Sequence, residues 1–575
     1  MSPLAPAFTY LCFSPTFPYS QLPDPHSLIF MLPVRPKQTA CMYTRDGVRL
    51  DADIYRPDAS CEFPVLLMRQ PYGRAIASTI VYAHPSWYAA QGYIVVIQDV
   101  RGRGTSEGEF KLFAHEIADG EDTVNWAASL PGSNGNVGMY GFSYQGMTQL
   151  YAAIRKPPAL KAICPAMIGY DLYRDWAYEG GAFCLQTNLA WAIQLAAETS
   201  RLQNDEKAYR ALLTASRNLP LHDAIPNYPE IIKYYALDSY YHHWVTHPQP
   251  DSYWQELSPK TYLQEVDLPM FHIGGWFDTY LRGTLNLYKD MASRSQYRQQ
   301  LLIGPWAHIP WGRKVGAMDF GVNAISPVDK MQISWFDQYL KGENTGLLDL
   351  PTVWLFEMGS NIWQNYSHLP KSTHKTYFLS SNGLASMGEE GLLSTDLKQT
   401  SIADVIVHDP WRPVPSLGGH ASIPAGVFER SHIDCRADVL TYTTESLVED
   451  LHLAGDVIVE IYCIADKPSF DLSAVLSEVY PDGRVYNITQ GYLHCRDGMN
   501  LSVRKIELQT TCVRIASGNA LRLSISAACF PAYAMNSGTE EEISKQRLIN
   551  SEIITLTVHS GRNSPSQILL PLLVN

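Results

Sequence analysis

Residues 136–155 read NVGMYGFSYQGMTQLYAAIR, an apolar run suited to a buried strand that passes into a helical pattern across Gly141-Phe142-Ser143-Tyr144-Gln145-Gly146. A strand that turns abruptly into a helix holds the residue between them on a strained turn. It pushes that side chain out of the sheet and aims the first N–H groups of the helix at whatever stands in front of it. Small residues on both sides let the two elements approach closely. The pattern predicts Ser143 as a nucleophile on a strand-to-helix elbow.

The strict spelling G-x-S-x-G occurs elsewhere, at Gly104-Thr105-Ser106-Glu107-Gly108, whereas around Ser143 the second glycine comes one residue late. Ser106 stands several residues past a predicted strand at 93–98, inside RGRGTSEGEF, with no helical period directly after it. That context reads as a glycine-rich loop. Ser143 has the strand before it and the helix after it, which is the context the motif requires.

Working outward, residues 41–55 alternate about Asp46-Gly47, a hairpin signal. Residues 63–68 form a strand leading into Arg69-Gln70-Pro71-Tyr72-Gly73, and 93–98 a strand apolar enough for burial on both faces. A helix is predicted over 116–130, ended by Pro131-Gly132, and a further strand over 160–165. This alternation is the signature of a doubly wound α/β sheet. Residues 170–261 turn helical and aromatic and read as a cap inserted where a substrate would enter. The sheet resumes at 268–274 and 300–304, a helix over 329–340 closes it, and 341–346 form a linker. From 351 the strands are short and separated by turn residues, at 353–357, 376–379, 457–463, 472–480, 485–491, 521–527 and 553–558. Such spacing predicts a β-sandwich or jelly roll. The expected organisation is an α/β catalytic domain (35–169 and 262–350), a helical cap (170–261) and a jelly roll (351–575). Residues 1–34 contain prolines but no Lys or Arg, so they lack the positive region of a secretory signal. They read as a disordered extension, or as sequence upstream of a true start at Met31.

Composition narrows the functional classes. The 575 residues carry a net charge of −13 without a basic run, so neither nucleic acid nor an anionic membrane is an expected partner. No apolar run approaches the roughly 18 residues of a membrane helix. Ten cysteines run from Cys12 to Cys529 without a C-x-x-C, which predicts reduced buried thiols in a cytoplasmic protein. No metal or cofactor is expected, the partner is a small molecule, and a homodimer is left open.

A serine hydroxyl is too weakly acidic to attack unaided, so it needs a histidine base and a carboxylate that holds the histidine's tautomer. On an α/β-hydrolase sheet they follow in the order Ser, Asp or Glu, His, each after the C-terminal end of a strand. Asp278, in Gly274-Gly275-Trp276-Phe277-Asp278, and His308, in Gly304-Pro305-Trp306-Ala307-His308, meet both conditions. His272 falls inside a strand and reads as a core histidine, while Asp267 precedes its strand. His243 and His247 are four apart, but Pro248 follows and no H-E-x-x-H is present, so they read as a packed or surface pair. The N–H of Tyr144 is the expected first oxyanion donor. The glycine-rich loop that would supply the second is replaced by Gln70-Pro71-Tyr72-Gly73, in which Tyr72 is either a phenolic donor or a packing residue.

With these residues in place, the chain from about Arg45 onward resembles the cocaine esterase family of serine hydrolases, relatives of X-prolyl dipeptidyl-peptidases and α-amino-acid ester hydrolases. The resemblance lies in RDGVRLDADIYRP, Gln70-Pro71-Tyr72-Gly73, Gln98-Asp99-Val100-Arg101-Gly102-Arg103-Gly104, the elbow itself, Gly275-Trp276-Phe277-Asp278, Gly304-Pro305-Trp306-Ala307-His308, Phe470-Asp471-Leu472 and Tyr480-Pro481-Asp482-Gly483-Arg484. It implies an α/β-hydrolase core, a helical cap and a jelly roll, and an elbow whose second glycine stands one place late. It implies that Tyr72 donates its hydroxyl to the oxyanion, and that Trp176, Trp191 and Tyr280 meet the substrate. The implied activity is hydrolysis of carboxylic esters through an acyl-enzyme on Ser143. Removal of X-Pro dipeptides is the alternative within enzymes, and a catalytically silent binding protein the alternative outside them. The α-amino-acid ester hydrolases place carboxylates just after the catalytic aspartate to bind an ammonium, but here Thr279-Tyr280 follow. Asp175 and Glu179 are the remaining carboxylates in the cap, expected to be solvated or structural.

Overall fold

The computed structural model describes residues 31–76, 79–387 and 390–574. Hairpin β1 (Gln38–Tyr43) and β2 (Arg49–Tyr55) forms about Asp46-Gly47. The chain continues through β3 (Phe63–Gln70), α1 (Pro85–Ala90), β4 (Ile94–Asp99), α2 (Glu116–Ala128), β5 (Ser133–Phe142), α3 (Tyr144–Ile154) and β6 (Leu160–Ala166). Each central strand reads as a nearly continuous apolar run because it is covered on both faces.

A mainly helical insertion follows. A π-helical turn (Tyr173–Ala177) leads into a small hairpin, β7 (Tyr178–Glu179) and β8 (Ala182–Phe183), turning on Gly180-Gly181. Helices α4 (Leu185–Leu202) and α5 (Glu206–Arg217) come next, then the short α6 (Glu230–Tyr235), α7 (Tyr241–Thr246), α8 (Ser252–Leu257) and α9 (Pro259–Tyr262). The sheet resumes with β9 (Met270–Phe277), α10 (Leu281–Arg294) and β10 (Gln299–Ala307), followed by a two-stranded ribbon, β11 (Lys314–Val315) and β12 (Met318–Asp319), and by α11 (Val328–Phe336). Strands β13 (Val353–Glu357) and β14 (Ile362–Tyr366) complete a ten-stranded sheet of order β1-β2-β4-β3-β5-β6-β9-β10-β13-β14. It is parallel from β4 to β13.

One strand expected among those of the C-terminal region, 353–357, lies instead in the first sheet. Residues 353–357 read VWLFE, a continuous apolar run closed by Glu357 and buried along its whole length, and they pair in parallel with β10. The expected linker at 341–346 starts on a docked residue, since Lys341 Nζ donates to Gln91 O (2.8 Å) and pairs with Asp337 (2.6 Å). Of the expected extension, residues 1–30 lie outside those described. Its last residues are tied down, with Leu32 N–H donating to Ala90 O (2.9 Å) and Val34 bridging Pro57.

The remaining strands, Ser372–Ser380 through Gln567–Leu573, form a second, thirteen-stranded sheet whose pairings are antiparallel except where Leu392–Ser394 meets Val439–Thr443. One apolar cluster runs from Trp276, Phe277 and Leu285 through Phe356 and Met358 into Leu453, Val459, Leu472 and Leu521 of that sheet, so the two bodies share a core. The expectation that all thiols are buried fails at Cys41, Cys61 and Cys435, which are exposed. Among the described residues no helix is long and apolar enough to cross a membrane.

Candidate active site

Tyr72, Ser143, Asp278 and His308 each follow the C-terminal end of a parallel strand, namely β3, β5, β9 and β10. Ligands bind outside that edge in open α/β sheets. Ser143 has φ 60° and ψ −128°, a conformation that costs a residue with a Cβ on the order of 1–3 kcal/mol. The main chain around it fixes this geometry. Ser143 N–H donates to Ala166 O (3.0 Å), and its carbonyl accepts the Met147 N–H of α3 (2.9 Å).

The late glycine has a steric cause. A Cβ on Gly146 would lie 2.4 Å from Ile168 Cγ2 and 2.8 Å from Ala166 O, so α3 could not settle against the end of β6. A Cβ on Gly141 would meet Gln145 Cβ at 2.5 Å.

His308 Nδ1 lies 2.8 Å from Asp278 Oδ1. Asp278 is fully buried, while the His308 side chain keeps 28% of its surface exposed. The His308 ring lies 5.3 Å from that of Phe142, the residue before Ser143, and takes the ring of Tyr280 edge-on at 5.0 Å. His272 is buried in β9 against Gln299 Oε1 (3.0 Å), and burial pushes its imidazole down to about 4, as suits a neutral core residue. His243 and His247 stack on Tyr253. Ser106 is spent structurally, its hydroxyl donating to Asp99 O (2.8 Å) and accepting the Asp51 N–H (2.9 Å).

The Tyr72 phenol accepts the indole N–H of Trp191 at 3.1 Å. Burial pushes it up to about 12, against the pull of hydrogen bonds with Trp191 and with Ser143, so it is a neutral O–H at neutral pH. Its loop is clamped at both ends by Asp99. Gln70 Oε1 accepts the Tyr72 N–H (2.9 Å), while Gln70 Nε2 (3.2 Å), the Arg74 N–H (2.6 Å) and Arg74 Nη1 (2.6 Å) converge on the Asp99 carboxylate. Gly104 is required at this point because a Cβ there would lie 2.0 Å from Asp99 Oδ2. Tyr144, the first residue of α3, has one of the helix N–H groups that lack an intrahelical acceptor. Its phenol donates to Glu116 (2.8 Å), which also takes Arg69 (2.5 Å).

Over these groups stands an aromatic wall. Trp176 lies 4.1 Å from Tyr280 and 5.3 Å from Trp191, and Trp191 lies 5.1 Å from Tyr240. Sequence reasoning missed Tyr240, which has no spacing relation to the other three. It also missed Arg103, a buried guanidinium over the Phe110 ring that donates to Leu195 O (3.0 Å), one turn beyond Trp191 on α4.

The two cap carboxylates are buried, not solvated. Asp175 accepts the N–H groups of Tyr170 (3.2 Å) and Asp171 (2.7 Å) and the amide of Asn286 (3.2 Å), and burial pushes it up to about 6. Glu179 takes His420 (2.8 Å), the Tyr533 hydroxyl (2.6 Å) and Arg282 (3.4 Å). Burial alone would push Glu179 up, but His420, Arg282 and Tyr533 together hold it down at about 2.

Residues 46–310 match the X-Pro dipeptidyl-peptidase (S15 family) model, and residues 345–569 match that of the X-Pro dipeptidyl-peptidase C-terminal non-catalytic domain. The chain is 31% identical to the cocaine esterase of Rhodococcus sp. (strain MB1 Bresler) over 564 residues, which is 92% of this chain and 97% of that one. An aminopeptidase structure from a marine sediment Thaumarchaeota archaeon superposes with a TM-score of 0.80 at 23% identity, covering 98% of this chain and 99% of that one. An α-amino acid ester hydrolase superposes with a TM-score of 0.75 at 22% identity over 97% and 100% of the two chains. The chain belongs to the cocaine esterase family of the S15 hydrolases, and it is an enzyme.

Proposed function

We propose that this hydrolase is a serine esterase with Ser143 as nucleophile, His308 as base and then acid, and Asp278 as the group that orients His308. The observation that carries the reading is the pairing of His308 Nδ1 with the buried Asp278 carboxylate at 2.8 Å, beside a serine held at φ 60° on the elbow. Ser143 Oγ attacks the acyl carbon while its proton passes to His308 Nε2, and the buried carboxylate stabilises the imidazolium. The carbonyl oxygen becomes an oxyanion received by the Tyr72 O–H and the Tyr144 N–H. Collapse expels the alcohol with the proton from His308, and water repeats the sequence on the acyl-enzyme. The phenol stays protonated throughout, because burial places its ionisation near 12.

The substrate reading follows from the aromatic side chains that pack beside His308 and Tyr72. Trp176, Trp191 and Tyr280 favour apolar or aromatic acyl groups through burial and stacking. An enzyme that demands a free α-amine must offer it an uncommitted carboxylate. Asp175 is capped by two N–H groups and an amide, and Glu179 is shared among three donors. Esters of neutral acids are therefore preferred over X-Pro peptides. The same topology supports an α/β-hydrolase core and a jelly roll as the fold names of the two bodies. Comparing kcat/KM for a 4-nitrophenyl ester and an Xaa-Pro 4-nitroanilide on one preparation at pH 8 tests the preference. The ester is expected to be the better substrate, and a better anilide would replace this reading with the dipeptidyl-peptidase one.

A further inference from the structure

The main chain of the loop carrying Asp278 takes hydrogen bonds from a side chain of the second body, Gln509. Gln509 lies between the strands Ser502–Glu507 and Thr511–Ile515 and is buried. Its Nε2 donates to two main-chain carbonyls of the acid loop, Trp276 O at 2.9 Å and Asp278 O at 3.1 Å. Gln509 is itself fixed, its N–H donating to Gln490 O (2.9 Å) and its carbonyl accepting the Thr489 hydroxyl (2.5 Å). A primary amide suits the position because its two N–H bonds diverge from one atom and reach two acceptors at once.

The Asp278 carboxylate makes this brace consequential. Oδ1 takes His308, whereas Oδ2 is buried without a hydrogen-bond donor among the described residues. The direction of the carboxylate is thus set by its main chain. Beyond the ladder that pairs Phe277 with Ala307 of β10, that main chain is held by the Asp278 N–H on Gly275 O (3.0 Å), the Leu281 N–H on Asp278 O (3.2 Å) and the Gln509 amide. The first two lie within the loop and the start of α10 and move with them. Gln509 adds directional hydrogen bonds from the second body to a loop whose Trp276 and Phe277 side chains pack in the core the two bodies share.

We propose that Gln509 is a positioning residue that holds the main chain on both sides of Phe277, so that Asp278 Oδ1 stays within hydrogen-bond reach of His308. The proposal rests on the catalytic reading above. It gives the C-terminal region, which matches a model described as non-catalytic, a share in the geometry of the site.

Gln509→Met keeps the length of the side chain and deletes both N–H donors. Displacing a catalytic group by about 1 Å costs on the order of 10² in rate. The variant is therefore expected to lose about 10- to 100-fold in kcat on a 4-nitrophenyl ester, with KM changed less than about twofold. The titratable groups facing His308 are Asp278 and Tyr280, and burial holds the Tyr280 phenol neutral. Loosening the carboxylate removes support for the imidazolium, so the acid limb of kcat/KM moves to lower pH. A role confined to stability would lower the melting temperature and leave that limb in place. In an Asp278→Asn background the substitution is expected to cost nothing further. If Gln509→Met does not fold, Gln509→Asn, whose amide falls one methylene short, takes the same tests. A folded variant with wild-type kcat and an unmoved acid limb overturns the proposal, as does a full additional loss in the Asp278→Asn background. Wild-type activity in Asp278→Asn itself overturns the catalytic reading instead, so the two failures are distinguishable.

Discussion

Tyr72→Phe isolates one hydroxyl. The ring packs with the apolar cluster beneath the cap and stays in place. What disappears is a neutral O–H in a buried setting, hydrogen-bonded to Ser143 and accepting from Trp191 at 3.1 Å. Because Trp191 already occupies one lone pair of the phenol oxygen, the phenolic hydrogen is free to point toward the nucleophile and the oxyanion that forms there. A donor aimed at a developing oxyanion contributes about 2.7–4 kcal/mol in the transition state. The ground-state carbonyl gains far less from it, so kcat should fall about 10²- to 10³-fold while KM stays within about threefold. The indole of Trp191 loses its acceptor, but Trp191 is only half-buried and water can replace the bond, so the melting temperature should move by no more than a few degrees. Steady-state hydrolysis of a 4-nitrophenyl ester at pH 8, with circular dichroism melting on the same preparation, measures all three quantities. A wild-type kcat in the folded variant would refute the donor role and return Tyr72 to packing.

Ser143→Ala and His308→Ala should each reduce kcat by something on the order of 10⁶, since the two act as a unit, and the double variant should be no worse than either single. Ser106→Ala should stay within a few-fold of wild type in turnover, because its hydroxyl only ties Asp99 to Asp51. Gly146→Ala drives a Cβ to 2.4 Å from Ile168 and 2.8 Å from a main-chain oxygen. It should cost about 1–3 kcal/mol in urea unfolding, with a larger than tenfold loss of activity as the elbow shifts. Asp175 binds its proton more tightly in the folded state, at about 6 against 3.8. Its contribution to stability is therefore fully present below pH 3.8 and is lost as pH rises through 6, by up to about 3 kcal/mol. Asp175→Asn should flatten the dependence of the urea midpoint on pH between 4 and 7, and an unchanged slope would contradict the assignment.

The elbow, the strand ends and the order Ser143, Asp278, His308 are legible in sequence because each depends on local periodicity and on the residue that directly follows a strand. Tyr72 is less so. Its position after β3 is readable, but donor and packing roles look alike in the residues alone, and its contact with Trp191, 119 positions away, exists only in the fold. The strand at 353–357 lies in the first sheet and not among the later strands: its unbroken apolar run VWLF suits a strand covered on both faces, but its short length and its place after the linker carry no record of the partner strand. The Glu179 cluster joins residues 241 and 354 positions apart, and Gln509 reaches its acceptors across more than 230. No periodic or motif signal spans such distances, since the contacts exist only once the two bodies have packed. Glu179 accordingly reads in the sequence as either solvated or structural, and only the fold shows it buried among His420, Tyr533 and Arg282.

The most direct test of the central claim is to label the intact protein with a fluorophosphonate and map the modified residue by peptide mass spectrometry. A serine activated on the elbow predicts one phosphonylated peptide, containing residues 136–155 and modified at Ser143, with loss of esterase activity in proportion to labelling and no labelling in His308→Ala on the same timescale. Modification at Ser106, or inactivation without modification of Ser143, would contradict it.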